Sequence, residues 1–168
     1  MIKGNEYIFK NDYVIIKIKE VEVLISFLDY DLVSKYTWRI TPKGYVETTS
    51  TRKEGRKNIR LSRLIMNCPK GKVVDHINSN RLDNIRANLR ICSSQQNNLN
   101  VAKYVKSKSK YKGVTYCKNT NKWRAKTKHF GKTISLGYYD TEEEGAKAYN
   151  DYMLRHHKDY ARLNVLED

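Results

Sequence analysis

The middle of this chain has few acidic residues, and residues 101–132 have none at all beside eleven Lys or Arg. A surface that only has to stay soluble mixes its signs. This one-signed block therefore excludes a merely solvating role and predicts a polyanionic partner. Proline is nearly missing, with two residues, so there is no proline-rich spacer. The three cysteines, Cys68, Cys92 and Cys117, are odd in number and far apart, and no C-x-x-C pair exists. That excludes a disulfide framework and a structural zinc site, and predicts three reduced cytosolic thiols. No apolar run nears the roughly 20 residues of a membrane helix, and residues 1–6 lack the apolar stretch of a secretory signal. Hence a cytoplasmic protein with no membrane partner is expected. Hydrophobic residues make up 39% of the chain, which predicts small, modular cores.

The net charge of +15 is unevenly placed. Residues 1–50 carry seven basic and seven acidic side chains, 51–100 eleven and three, and 101–168 fifteen and eight. Blocks of one sign suit phosphate binding, where counterion release drives affinity. A membrane surface would need an amphipathic apolar face, which the basic run lacks. Nucleic acid is the partner class this pattern predicts.

Four segments follow from periodicity and turn residues. In 1–57, a β-rich scaffold, Tyr13–Ile18 and Val21–Ile25 read as strands. Asp29 reads as the cap of a short helix with Leu32, Val33 and Tyr36 on one face, and strand character returns from Trp38 to Thr51 around Gly44. In 58–100, Ile59–Met66 reads as helical, Pro69-Lys70-Gly71 as a break, Val73–His76 as a strand and Leu89–Ile91 as the returning strand. Ser93-Ser94-Gln95-Gln96 has the capping-box pattern that starts a helix. Residues 101–110 read either as an extended basic linker or as a segment that orders only when nucleic acid binds. In 111–168, strands over Tyr111–Tyr116, Trp123–Lys128 and Lys132–Tyr138 precede a helix capped by Thr141 and Glu144. Its apolar stripe is Ala146, Tyr149, Met153 and His156. Period-two alternation turns Trp123, Ala125 and Thr127 inward and Arg124, Lys126 and Lys128 outward, where three cations can enter a major groove.

The chemistry concentrates in Val74–Arg90. An Asp-His pair, Asp75-His76, ends an apolar pair; Asn88 stands thirteen positions after the Asp and Asn97 twenty-two. Carboxylate, imidazole and two amides make poor core material. Together they predict a small metal-dependent hydrolytic site. Asp75 and Asn97 offer oxygen ligands that suit Mg²⁺ or Mn²⁺. His76 has the intrinsic basicity for general-base work at neutral pH. Successive strand residues face opposite ways, so Asp75 and His76 share a site only at a twist or a strand end. Asn88 either orients His76 or ties down the loop through its amide. Arg63, Arg81, Arg86 and Arg90 are candidates to hold phosphates.

These residues carry two resemblances. Arg63-Leu64-Ile65, Val74-Asp75-His76-Ile77-Asn78, Leu82-Asp83-Asn84, Asn88-Leu89-Arg90 and Gln96-Asn97-Asn98 resemble the H-N-H nuclease family, in the form found in phage and intron-encoded homing endonucleases. That implies an α+β, ββα-metal (His-Me finger) fold, with Asp75 and Asn97 as metal ligands, His76 as general base and Asn88 as the structural Asn of the motif. Two positions depart from many relatives: Ser62 precedes the Arg in place of His, and Ile85 stands in place of Arg. Tyr111-Lys112-Gly113-Val114, Lys122-Trp123, Leu136–Thr141, Glu143-Glu144, Ala146–Tyr149 and Leu163-Asn164 resemble the DNA-binding domain of plant ethylene-response factors, the Apetala type. The positions matching its base-contacting strand residues are Lys112, Thr115, Arg124, Lys126, Lys128, Thr133 and Ser135. Several differ in type from the plant residues, so the plant recognition sequence does not transfer. Together the resemblances imply a monomeric, site-specific endonuclease that nicks double-stranded DNA in a bacterial host cell. The alternatives are a non-catalytic DNA-binding regulator with a decayed nuclease fold, and an RNA-binding protein or ribonuclease whose thirteen tyrosines stack on bases.

Overall fold

Runs of β-branched residues build the first sheet. In a computed structural model that describes residues 4–50, 55–101, 108–129 and 131–166, β1 (Glu6–Phe9), β2 (Tyr13–Ile18) and β3 (Val21–Ser26) pair antiparallel in succession. The fold is mixed α+β, with several small sheets, and divides into two compact units, 1–94 and 95–168. Among the described residues no helix is long and apolar enough to cross a membrane, and the three cysteines are free.

In the first unit, a 3₁₀ turn at Phe27–Asp29 leads into the one-turn helix α1 (Tyr30–Val33). Strands β4 (Arg39–Ile40), β5 (Val46–Thr49) and β6 (Asn58–Arg60) form a second sheet, followed directly by α2 (Leu61–Ile65). Strand β7 (Val73–His76) precedes β8 (Asp83–Asn84), and β9 (Leu89–Cys92) returns antiparallel on β7 with His76 opposite Leu89. Only two residues long, β8 adds to the first sheet in parallel, Leu24 opposite Asp83 and Ile25 opposite Asn84. One core serves this unit: Val14, Ile16, Val23, Ile25, Val33 and Trp38 cluster with Leu61, Ile65 and Leu89. Burying such side chains is worth roughly 1.5–3 kcal/mol each, so residues 4–50 are integral to the unit that holds the Asp-His pair.

Two expectations need correction here. Asp29 does not cap α1 with its side chain. Its carboxylate, 1% exposed, instead accepts three hydrogen bonds of 2.7–3.1 Å from the Arg86 guanidinium. A charged partner outcompetes a cap for a buried carboxylate. Ile59 and Arg60 are strand rather than helix, because β5 offers them a ladder. Thr51, expected at a strand end, and 102–107 of the expected linker lie outside the described residues.

The second unit begins within α3 (Ser94–Asn100). Strands β10 (Val114–Cys117), β11 (Lys122–His129) and β12 (Lys132–Tyr139) form an antiparallel sheet in that order. Helix α4 (Glu142–His157) follows, and its N-terminus carries the expected capping box between Thr141 and Glu144. Two orphan backbone donors are satisfied reciprocally there. Ala146, Tyr149 and Met153 are buried, but His156 is exposed and stacks on Tyr152, with ring centroids 4.2 Å apart. The first strand starts at Val114 rather than Tyr111, since Gly113 has φ +82°. A Cβ at Gly113 would lie 2.1 Å from the Tyr149 ring, so only glycine lets that ring rest on the backbone.

Candidate functional site

The Asp-His pair sits at a strand end, the position that lets both side chains turn inward. Asp75 is 6% exposed and His76, the last residue of β7, 7%. Asp75 Oδ2 accepts from Arg90 Nε at 2.9 Å and from Nη2 at 2.6 Å. This is a buried charge pair, since Arg90 lies opposite Asp75 in the β7–β9 ribbon.

The ring of His76 faces Asn84, with Nε2 and Oδ1 3.2 Å apart. Asn84 is 1% exposed, and its Nδ2 donates to the Arg81 carbonyl at 3.1 Å. That second bond fixes the amide with Oδ1 toward the ring, so Nε2 carries the proton and the neutral ring keeps its lone pair on Nδ1. Burial pushes the imidazole below its ordinary value; the Asn84 bond and the Asp75 charge act the other way and do not prevail. A lowered value favours the neutral, proton-accepting form at neutral pH.

The loop between the two strands is tied down by amides. Asn88 Oδ1 accepts from Asn78 N at 2.9 Å, and Asn88 Nδ2 donates to Asn78 Oδ1 at 2.9 Å and to the Asp83 carbonyl at 2.8 Å. Of the two roles open to Asn88, this geometry is the loop tie. From the other side, Ser26 Oγ accepts from Arg86 N at 2.9 Å, and Leu24 N donates to the Leu82 carbonyl at 2.8 Å. The N-terminal sheet thus holds Asn84 in place, and through it the ring of His76.

The four candidate phosphate-binding arginines differ in what they touch. Arg63 staples the loop before β7, donating to the carbonyls of Lys72, Cys68 and Pro69 at 2.7–3.2 Å. Arg86 is paired with Asp29 and Arg90 with Asp75. Arg81 is exposed, donates to the Lys43 carbonyl, lies over the Tyr45 ring at 4.3 Å and has no carboxylate partner among the described residues. Arg60, which sequence patterning did not single out, lies over the same ring at 4.0 Å. Asn84 was also missed as a site residue: nothing in its local sequence reveals that a two-residue parallel strand aims it at His76.

Divalent hard cations take oxygen ligands. Among the described residues, no group of three or more His, Cys, Asp or Glu gathers. The carboxylate donor at this strand end is the buried Asp75, while the amide oxygens of Asn84 and Asn88 face His76 and Asn78 N. A lone carboxylate fits a hard ion only where phosphate and water supply most of the shell. Asn97 lies in α3, in the second unit.

In the second unit, register gathers six of the seven expected base-contacting residues on one sheet face. Thr115 is opposite Arg124 and Arg124 opposite Tyr138; Lys126 is opposite Ser135 and Lys128 opposite Thr133. Directly opposed residues share a face. The reverse face holds buried Ala125 and Thr127 against α4. The register shifts between Ala125 and Lys126 without reversing β11. Arg124 lies 5.8 Å over the Tyr138 ring, and its buried Nε has no hydrogen-bond partner among the described residues. An oriented guanidinium with unspent donor capacity is suited to an incoming acceptor. The seventh, Lys112, is placed differently. Its ammonium donates to the carbonyls of Leu99 at 2.5 Å and Val101 at 2.7 Å. Burial, aided by the nearby Arg162 charge, pushes it down to about 8.

Residues 67–99 match the HNH endonuclease family and residues 109–158 the AP2 domain family. An uncharacterized HNH endonuclease of Acanthamoeba polyphaga mimivirus is 31% identical over 132 residues, covering 75% of this chain. The match spans 65% of that relative's length. No solved structure matches.

Proposed function

We propose that this chain, in which an HNH endonuclease segment precedes an AP2 domain, is a metal-dependent DNA endonuclease of the homing type. It acts as a monomer and leaves a nick in duplex DNA. The observation that carries this reading is the buried imidazole of His76, its Nε2 3.2 Å from Asn84 Oδ1, with the buried Asp75 carboxylate beside it in sequence.

In this reading His76 Nδ1 accepts the proton of the attacking water. Asn84 keeps Nε2 protonated, so the ring presents the correct nitrogen at no cost in reorientation. Asp75 and Asn97 are the protein oxygens that would hold a divalent cation, Mg²⁺ or Mn²⁺, and that ion would supply charge stabilisation at the phosphorus and the leaving oxygen. Arg90 orients the Asp75 carboxylate, and Asn88 keeps the loop in shape. Arg81 and Arg63 retain charge that no described carboxylate offsets and are placed to meet phosphate. The AP2-type sheet supplies most of the affinity and the register on DNA.

The test is nicking of supercoiled duplex DNA by the full chain with Mg²⁺, quenched by chelator. Nicked circles that disappear with the chelator are expected. Binding without any cutting would instead favour a DNA-binding regulator, and stronger competition by single-stranded RNA than by duplex DNA would favour an RNA-directed role.

Replacing Arg124 with Ala is expected to cost about 1–3 kcal/mol of affinity for the preferred site if the guanidinium pairs with a guanine. The loss on scrambled DNA should be smaller. Equilibrium binding on both DNAs at one salt concentration checks it; equal losses would reduce Arg124 to a phosphate contact.

A further inference from the structure

The family boundary and the structural boundary do not coincide. The HNH match runs to residue 99, whereas the second compact unit already begins at Gln95. Helix α3, which carries Asn97, therefore has its C-terminal part within the unit that contains the AP2 match.

What holds it there is specific. The last carbonyls of a helix have no intrahelical partner. The Leu99 carbonyl accepts from Lys112 Nζ at 2.5 Å and from Arg162 N at 3.2 Å, and Lys112 Nζ also reaches the Val101 carbonyl at 2.7 Å. A cation at this end also meets the negative pole of the helix. Lys112 is fixed in turn: its N–H donates to Asn164 Oδ1 at 2.7 Å, and its carbonyl accepts from Asn164 Nδ2 at 3.0 Å. Asn164 is clamped by Asn150 of α4, which accepts from Asn164 N at 2.8 Å and donates to its carbonyl at 2.9 Å. A continuous chain of hydrogen bonds thus runs from α4 through Asn164 and Lys112 to the end of α3.

We propose that Lys112 is a positioning residue: it anchors the helix bearing Asn97 to the AP2-type unit, so that the frame which engages DNA also sets the placement of Asn97. Its catalytic consequence rests on the nuclease reading above; the anchor itself does not. Lys112 stands where the Apetala-type domain has a base-contacting residue, and here its donors are turned onto protein carbonyls.

The experiment uses the full chain with Lys112→Met, which keeps the aliphatic length and removes the donors, and Lys112→Arg, which keeps charge and donors. Amide exchange of 94–101 is expected to quicken at least about tenfold in Lys112→Met and to recover in Lys112→Arg, with β10–β12 unchanged. Duplex binding measured without divalent cation should stay within about threefold of wild type. Single-turnover cleavage at saturating DNA should fall about tenfold or more. Unchanged exchange in α3, together with weaker binding and a salt slope lower by roughly 0.9, would make Lys112 a phosphate contact and overturn the proposal. If the wild type does not cut DNA, the nuclease reading fails while the exchange result still decides the anchor. If Lys112→Met unfolds the unit, pulse acetylation of the wild type decides. DNA should protect Lys126 and Lys128 and leave Lys112 unchanged; equal protection of Lys112 overturns the anchor.

Discussion

Asn97→Ala and Asp75→Asn are each expected to abolish cleavage while leaving duplex binding within about threefold of wild type. Asn97→Ala removes one of the two protein oxygens proposed to hold the divalent cation, Asp75→Asn removes the negative charge from the other, and a shell that sparse has no spare ligand. The two variants differ in a useful way. Asp75 is the buried partner of Arg90, so losing its charge leaves a guanidinium that is 14% exposed without its counter-ion. Breaking such a pair costs roughly 3–5 kcal/mol, and Asp75→Asn should melt earlier for that reason alone. No described carboxylate or cation is recorded on Asn97, so Asn97→Ala reads the ligand role cleanly. Rates are compared by single-turnover nicking across a Mg²⁺ titration, at a temperature where both variants are folded. A wild-type rate in Asn97→Ala would sink the ligand assignment.

His76→Ala is expected to slow cleavage by roughly 10²–10⁴-fold, the worth of a positioned base, with any Mg²⁺ requirement unchanged. The pH dependence carries a definite sign. Burial holds the folded imidazole below its ordinary value, so the ring is neutral at neutral pH. The rate should fall only as pH drops below about 6.5, the usual histidine value. Stability follows the same direction: the unfolded chain binds a proton on His76 before the folded one does, so stability is full above the unfolded value and declines as pH falls through it. A variant within threefold of wild type, or an acid limb centred above the ordinary histidine value, would place water activation elsewhere.

Much of this protein was legible without coordinates, and the reason is range. The capping box of Thr141 and Glu144 spans one helical turn. The outward row of Arg124, Lys126 and Lys128 follows from period-two alternation within a single strand. The one-signed charge of residues 101–132 is visible by counting. The spacing from Asp75 to His76, Asn88 and Asn97 marked out a set of groups unsuited to a core, because carboxylate, imidazole and amide all need polar partners.

What tertiary structure alone decided lies in contacts between residues far apart in the chain. Asp29 meets Arg86 across 57 positions, which turned an expected helix cap into a buried ion pair. Asn84 meets His76 because β8 attaches in parallel to β3, and that pairing selects the tautomer of the ring. Lys112 finds the carbonyls of Leu99 and Val101 instead of joining the outward row of the sheet. Local pattern settles which groups a segment offers. Which partner each takes depends on the competition among all donors and acceptors that folding brings within about 3 Å, and for a buried charge that competition is decided by desolvation. So the sequence by itself determined the two modules and the groups each offers, and the tertiary structure decided which arginine neutralises which carboxylate, which amide meets the ring of His76, and which unit holds the end of the helix with Asn97.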